Sequence, residues 1–230
     1  DVGCDKAFAW DCYMADIPSG TAKTPTRILG QGWNSGCKTA PQFYGVERAD
    51  HVLSLDNADH VQIQCLEITD HSSCVEFHSG KLSCKRSGYP NGDWSALGLQ
   101  ASDSSDVLLK HVDIHGMAAS GVLAGRLKNW TVEDSKINGN GWVGWDGDLQ
   151  AKSGSSNSGY MTFRRTEISF NGCGETYPGR KPTGCWGQGA GGYGDGMGTA
   201  ATGGDWLFED CQVMHNTSDG IDLLYHSLGG

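Results

Sequence analysis

Short stretches of alternating apolar and polar residues recur along the chain, and each is broken by Asn, Gly, Asp or Ser. Alternation with a period of two predicts β-strands that bury one face. Helical spacing is not sustained over ten residues anywhere in the sequence. Five stretches share two apolar residues five positions apart: Ile63/Ile68, Leu109/Ile114, Val132/Ile137, Phe163/Ile168 and Phe208/Val213. The pattern therefore predicts an all-β protein of short strands.

These stretches are predicted to be copies of one repeated unit. The shortest separation, 23 residues between Leu109 and Val132, sets the bare unit, and longer separations are that unit plus insertions. Such a unit lacks the framework of leucine-rich repeats and is too short for a propeller blade. It favours a parallel β-helix, a solenoid whose coils bury their apolar edges against one another. We expect about five or six coils in a single domain over residues 1–230, a fragment without recognisable caps.

A third strand per coil produces a column of small polar residues when the units are aligned. Its members are Ser95, Ser120, Asp146, Asp195 and Asp219, each followed by Gly or Ala. Asp or Ser before Gly is typical of a turn, in which the glycine is free to adopt positive φ. Two long insertions, residues 79–94 and 174–194, end just before this column. We therefore expect both loops to overhang the same edge.

The chain contains nine cysteines, and their spacing indicates the redox compartment in which the protein folds. The pairs Cys74/Cys84 and Cys173/Cys185 each bracket a short polar loop, and no CxxC spacing of a zinc or redox site is present. The spacing predicts that both loops are closed by disulfides and that the protein is secreted, with buried free thiols as the alternative. Cys65 and Cys211 fall within apolar strand patterns, where we expect reduced thiols.

Charge and hydropathy restrict the classes of partner that the protein can bind. The chain carries 17 Lys and Arg against 27 Asp and Glu, a net charge of −10, which argues against nucleic acid and anionic membranes. No apolar run approaches the roughly 20 residues of a spanning helix, so no membrane insertion is expected. An acidic ligand would need a bound cation or local arginines. Self-association through the ends of the solenoid is a further expectation.

Two segments resemble a known superfamily. Residues Pro25–Gly32 resemble the early strand and glycine turn of pectin-lyase-like proteins, and the resemblance extends from about Thr26 onward. Residues His215–Asp222 are similar to the Asn-Thr-Asp-Gly-Ile-Asp signature of polygalacturonases, with Ser218 as an extra residue. The resemblance implies a right-handed parallel β-helix and places Asp219 among the catalytic carboxylates. The Asp-Asp, Gly-His-Gly and Arg-Ile-Lys elements that follow in that family have no counterpart before residue 230.

The aspartates of this column are the strongest candidates for chemistry. Strands in adjacent coils lie about 4.8 Å apart, so their carboxylates come close enough to share Ca²⁺ or to act as an acid–base pair. The candidate metal ligands are Asp146, Asp148, Asp195 and Asp219. The candidate catalytic residues are Asp146, Asp195, Asp219 and Asp222, with Arg126 as a base in the case of a lyase. The candidate sugar-stacking residues in or beside the loops are Trp94, Trp142, Trp145 and Trp186.

Three functions remain open at this point. The first is a secreted polysaccharide-active enzyme, either a Ca²⁺-assisted lyase or a glycoside hydrolase. The second is a non-catalytic module that binds cell-surface glycans or mediates adhesion, and the third is a structural, fibre-forming solenoid. If the protein is an enzyme, we expect these carboxylates to point into an open cleft. The other two predict Asp side chains that cap backbone amides at the turns.

Overall fold

The computed structural model describes residues 16–45, 49–77, 79, 81–84, 94–149, 156–183 and 194–224. In these residues all of the regular structure is β-structure, as predicted, and all but one of the strand pairings are parallel. Ten strands form one sheet, six form a second, and two form a separate antiparallel hairpin. The described residues contain no helix of the length and apolarity needed to cross a bilayer.

The parallel strands fall into three stacks, which the chain visits in rotation. The first stack is β1 (Thr26–Leu29), the first part of β4 (Val61–Thr69), the first part of β6 (Ser105–His115), β8 (Lys128–Glu133), β11 (Ser158–Arg164) and β16 (Asp205–Glu209). The second stack is β2 (Gln42–Tyr44), the last parts of β4 and β6, β9 (Lys136–Asn138), β12 (Glu167–Ser169) and β17 (Gln212–Met214). The third stack is β3 (His51–Ser54), β5 (Leu97–Ser102), β7 (Val122–Gly125), β10 (Trp145–Asp146), β15 (Met197–Thr199) and β18 (Ile221–Leu223).

The apolar pairs predicted to align do align. Ile63 pairs with Leu109, and the same row continues through Val132 and Phe163 to Phe208. The second row likewise runs from Ile68 through Ile114, Ile137 and Ile168 to Val213. These side chains belong to one hydrophobic core. The predicted alignment of the apolar pairs is thus confirmed.

Asparagines and glycines line the corner between the second and third stacks. The Asn140 amide donates to Asn171 Oδ1 at 3.0 Å, and the Asn171 amide donates to Asn216 Oδ1 at 2.9 Å. A Cβ at Gly144 would lie 2.5 Å from both Asn171 Nδ2 and the carbonyl oxygen of Gly196. The corner therefore needs both residue types, because the amides fill the space that the glycines leave.

Disulfides confirm part of the cysteine prediction and correct another part. Cys74 is bonded to Cys84, as expected, and Cys211 is a free thiol. Cys173 is disulfide-bonded, while its predicted partner Cys185 lies outside the described residues. Cys65, expected to be reduced, is bonded to Cys37 because the two Cα atoms come within 5.4 Å across 28 residues of chain. No sequence spacing indicates that pairing.

Candidate functional site

The aspartates converge on the third stack, but not in the predicted register. Asp146 is paired with Gly198, and Gly198 with Asp222, whereas Asp195 and Asp219 share a different row. The sequence alignment misplaced Asp146 by three residues relative to Asp195. The reason is packing: Trp145 takes the buried position that Met197 takes in the next strand, so Gly144 rather than Gly147 is the counterpart of Gly196.

Three of these carboxylates accept backbone hydrogen bonds. Asp146 Oδ1 accepts from the amide of Asp148 at 3.1 Å, and Asp195 Oδ1 accepts from the amide of Asp219 at 3.0 Å. Asp148 Oδ1 accepts from the amide of Ala200. The Asp146 bond lies within its own turn, as the two non-catalytic functions predict, whereas the Asp195 and Asp148 bonds reach amides 24 and 52 residues further along the chain. They also hold the carboxylates in fixed positions.

The carboxylates are also electrostatically coupled. Burial raises the pKa of Asp146 to about 7, and the charges of Asp148 and Asp195 add to the rise while the Asp148 amide opposes it. Burial, followed by the charges of Asp219, Asp195 and Asp148, raises the pKa of Asp222. We call Asp146, Asp148, Asp195, Asp219 and Asp222 the acidic patch. Their mutual repulsion is what a bound cation would relieve.

The other predicted site residues are dispersed. Arg126 is paired with Asp103 through two hydrogen bonds, one of them 2.6 Å long, and that pairing occupies its guanidinium group. Trp145 is only 1% exposed and packs edge-on against Trp130 and Phe163, so it is a core residue with no ring face for a sugar. Trp94 and Trp142 are half-buried. Trp186 lies outside the described residues.

The outward face of the second stack carries polar side chains that the sequence reading did not single out. One row contains Gln42, Glu67, Asp113, Lys136, Glu167 and Gln212, and the other contains Tyr44, Thr69, His115, Asn138, Ser169 and Met214. They flank the aligned apolar row, so the alternation that identified Ile68 and Ile114 also marked their neighbours as outward-facing. The signal was present in the sequence but was used only for the core.

An antiparallel hairpin, β13 (Gly174–Thr176) and β14 (Lys181–Thr183), reaches over this face. It begins the second predicted insertion, which was expected to overhang the edge of the third stack. Glu175 from the hairpin accepts hydrogen bonds from His71 Nδ1 at 2.9 Å and His115 Nδ1 at 2.6 Å. Tyr177 packs against the His71 ring, with ring centroids 4.2 Å apart. The hairpin therefore contributes side chains to a site on the second stack.

A second contact of the hairpin is ionic. Arg180 donates to both carboxylate oxygens of Asp113, at 2.9 and 3.1 Å, and to Asn138 Oδ1 at 3.2 Å. Burial opposes ionisation of Glu175, but hydrogen bonds from His115 and His71 and the nearby Arg180 charge outweigh it, so the Glu175 pKa is lowered. A groove of about 230 Å³ runs beside Glu175 and Arg180, with Lys136 and Glu167 on its wall.

Comparisons with known proteins do not assign this chain to a family. No family description matches it, and no curated protein does. Among solved structures it is similar to an alginate lyase from Paenibacillus sp. str. FPU-7, with a TM-score of 0.32 and 10% identity over 91% of this chain and 86% of that one. A likeness at that level carries no argument about activity, which must come from the residues.

Proposed function

We propose that this chain is part of an extracellular, polysaccharide-active protein with a right-handed parallel β-helix fold, and that its acidic patch binds Ca²⁺. The rotation of the chain through three parallel stacks supports the fold, and the Cys37–Cys65 and Cys74–Cys84 disulfides support an oxidising compartment. The crowding of five carboxylates on one edge of the third stack carries the functional proposal.

The donor set of the acidic patch suits calcium. Ca²⁺ takes six to eight oxygen ligands at about 2.3–2.6 Å, and carboxylates are its usual protein ligands. The backbone hydrogen bonds of Asp146, Asp148 and Asp195 fix their orientation and so reduce the cost of assembling a site. A bound Ca²⁺ supplies positive charge for a uronate carboxylate, which a chain of net charge −10 otherwise repels.

For the reaction we favour β-elimination on a uronic acid polysaccharide. In such an elimination a base removes the proton next to the uronate carboxylate and the glycosidic oxygen leaves, and the acidic patch would hold that carboxylate through its bound Ca²⁺. Because Asp103 holds Arg126, the base of such a reaction must be a different group. One observation favours a hydrolase instead: Asp146 and Asp222 lie two strands apart, which puts their Cα atoms roughly 10 Å from each other, near the carboxylate separation of inverting glycosidases.

The test is incubation with a panel of uronate and neutral polysaccharides, with Ca²⁺ or with EGTA. Asp195→Asn alters the acidic patch, and Asp205→Asn, which changes an exposed residue of β16, is the matched control. Unsaturated products that require Ca²⁺ and Asp195 support the lyase, and new reducing ends without unsaturation support the hydrolase. Glycan binding with neither product would make the chain a non-catalytic module. Calorimetry that detects no Ca²⁺ binding to the wild-type protein would refute the calcium proposal.

Self-association through the ends of the stacks also stays a proposal. The outer strand β18 exposes 41% of Ile221, although this residue continues the buried row of Trp145 and Met197. Light scattering of wild type and Ile221→Glu measures the association: a dimer that the substitution dissociates supports the proposal, and an unchanged mass refutes it.

A further inference from the structure

The His71, His115 and Glu175 side chains form a compact, enclosed set of metal-ligand atoms. Their ligand atoms all lie within 4.8 Å of one another. The His115 side chain is fully buried, that of Glu175 is 3% exposed, and that of His71 is 11% exposed. The three come from distant parts of the chain, since Glu175 is 60 residues from His115 and 104 from His71. The fold has therefore brought two imidazoles and a carboxylate together in a nearly dry site.

The outer nitrogens of both histidines are oriented as in metal sites. His115 Nε2 is 2.8 Å from Glu67 Oε1, and His71 Nε2 is 3.1 Å from the Gln42 side-chain amide. Metal-ligating histidines commonly donate their second ring N–H to a carboxylate or carbonyl oxygen, which fixes the ring and its tautomer. The Gln42 amide can present its oxygen by a flip of the terminal group. Both Nδ1 atoms are thus directed inward toward Glu175.

The spacing of the donors matches a small cation after a modest shift. A tetrahedral ion with bonds of about 2.0–2.1 Å holds its ligand atoms about 3.3 Å apart. His71 Nδ1 lies 2.9 Å from Glu175 Oε1 and His115 Nδ1 lies 2.6 Å from Glu175 Oε2, so the hydrogen-bonded atoms must separate slightly for one carboxylate oxygen to share an ion with both rings. Gly116 leaves room for the carboxylate, because a Cβ there would lie 3.0 Å from Glu175 Oε2. Because the ligand atoms all lie within 4.8 Å of one another, small side-chain shifts bring them to that spacing.

We propose that His71 Nδ1, His115 Nδ1 and a Glu175 oxygen bind Zn²⁺, which fastens the β13–β14 hairpin to the second stack. Two imidazoles and one carboxylate form a ligand set typical of zinc, whereas calcium prefers oxygen alone. A water completes the four ligands. In the bound state each histidine is neutral and carries its proton on Nε2, which faces Glu67 or Gln42, and a second proton on either ring is released to solvent. This site is separate from the acidic patch and does not depend on the proposed activity.

Metal binding to the full chain, expressed without a histidine tag and stripped with a chelator, tests the proposal. Titration with Zn²⁺ should show one strong site per chain. Co²⁺ in its place should give the intense visible absorption of a tetrahedral ion, without a thiolate charge-transfer band. Glu175→Gln, which keeps the size of the side chain, should abolish the strong site, and Glu67→Gln should weaken it about 10- to 100-fold. Circular dichroism checks that each variant is folded.

Two matched controls separate this site from others. His60→Ala removes a part-exposed histidine near Asp106, and Asp195→Asn alters the acidic patch; both should retain one strong Zn²⁺. The proposal is overturned if wild type binds no Zn²⁺ at micromolar concentration, because the cluster is then a hydrogen-bonded network only. It is also overturned if Glu175→Gln binds as tightly as wild type, or if Co²⁺ shows thiolate ligation.

Discussion

The pH dependence of stability offers a direct measurement of the acidic patch, through Asp146. Its folded-state pKa is about 7, whereas an Asp carboxyl in an unfolded chain titrates at about 3.9. Because the folded pKa is the higher one, folding favours the protonated carboxyl. The resulting stability is complete below about pH 4 and is lost as the pH rises through about 7. Three pKa units at about 1.4 kcal/mol each amount to about 4 kcal/mol.

Asp146→Asn removes this titration and keeps the local structure, because an amide oxygen can still accept the 3.1 Å hydrogen bond from the Asp148 amide. The variant and wild type should unfold with similar free energies near about pH 4, and the variant should be more stable by about 4 kcal/mol near pH 8. Burial also raises the pKa of Asp70, to about 6, but Asp70 titrates in both proteins and cancels in the difference.

Urea unfolding across this pH range, in EGTA and with the disulfides intact, provides the free energies. Asp205→Asn should follow the wild-type curve, since Asp205 is an exposed residue of another stack. Added Ca²⁺ should recover much of the wild-type stability at high pH and have a smaller effect on Asp146→Asn. If the free energies of unfolding of wild type and Asp146→Asn change in parallel with pH, the Asp146 carboxyl is not buried among like charges and its raised pKa is refuted.

Three further predictions concern the fold. Asn171→Ala should lower the free energy of unfolding by about 2–4 kcal/mol in urea, because the buried Asn140 amide loses its acceptor and the Ile137 carbonyl loses a donor. Asn34→Ala, at an exposed position, should cost under about 1 kcal/mol, and equal losses would contradict the role of the ladder. Gly144→Ala should lower the melting temperature, because overpacking of the new methyl group costs about 1–3 kcal/mol. Gly179→Ala should leave the melting temperature unchanged, since a Cβ there would have no atom within 4 Å. Unchanged melting temperatures for both variants would contradict the close packing at Gly144. The double substitution Cys37→Ser and Cys65→Ser should lower the free energy of unfolding by about 3–4 kcal/mol, because the disulfide closes a loop of 28 residues. An unchanged free energy of unfolding in urea would contradict that bond.

The core was predictable because strand alternation is local. Ile63 and Ile68, and their counterparts in the later units, carry the same pattern in every unit, and the structure pairs them as aligned. The Cys74–Cys84 disulfide was likewise predicted from two cysteines that bracket a short polar loop. Each of these inferences needed only residues close in sequence and a repeated spacing.

The register of the third stack required packing information. Two alignments of Asp146 were possible from the sequence, because Gly144-Trp145 and Asp146-Gly147 each offer a glycine. The core accepts Trp145 between Trp130 and Phe163, and that contact decides the register. The same burial removes Trp145 from the candidate sugar-binding residues. Local pattern cannot decide between two frames when both satisfy the turn chemistry.

By itself, the sequence determined the all-β class, the rows of the core, the Cys74–Cys84 disulfide and the gathering of aspartates on the third stack. Only the tertiary structure decided the Cys37–Cys65 bond and the cluster of His71, His115 and Glu175. Strand periodicity and turn residues act over a few positions, so they can be read from the chain. The cluster forms because the β13–β14 hairpin packs on the second stack, where Glu175 contacts residues 60 and 104 positions earlier in the chain. No local interaction encodes contacts over such sequence separations.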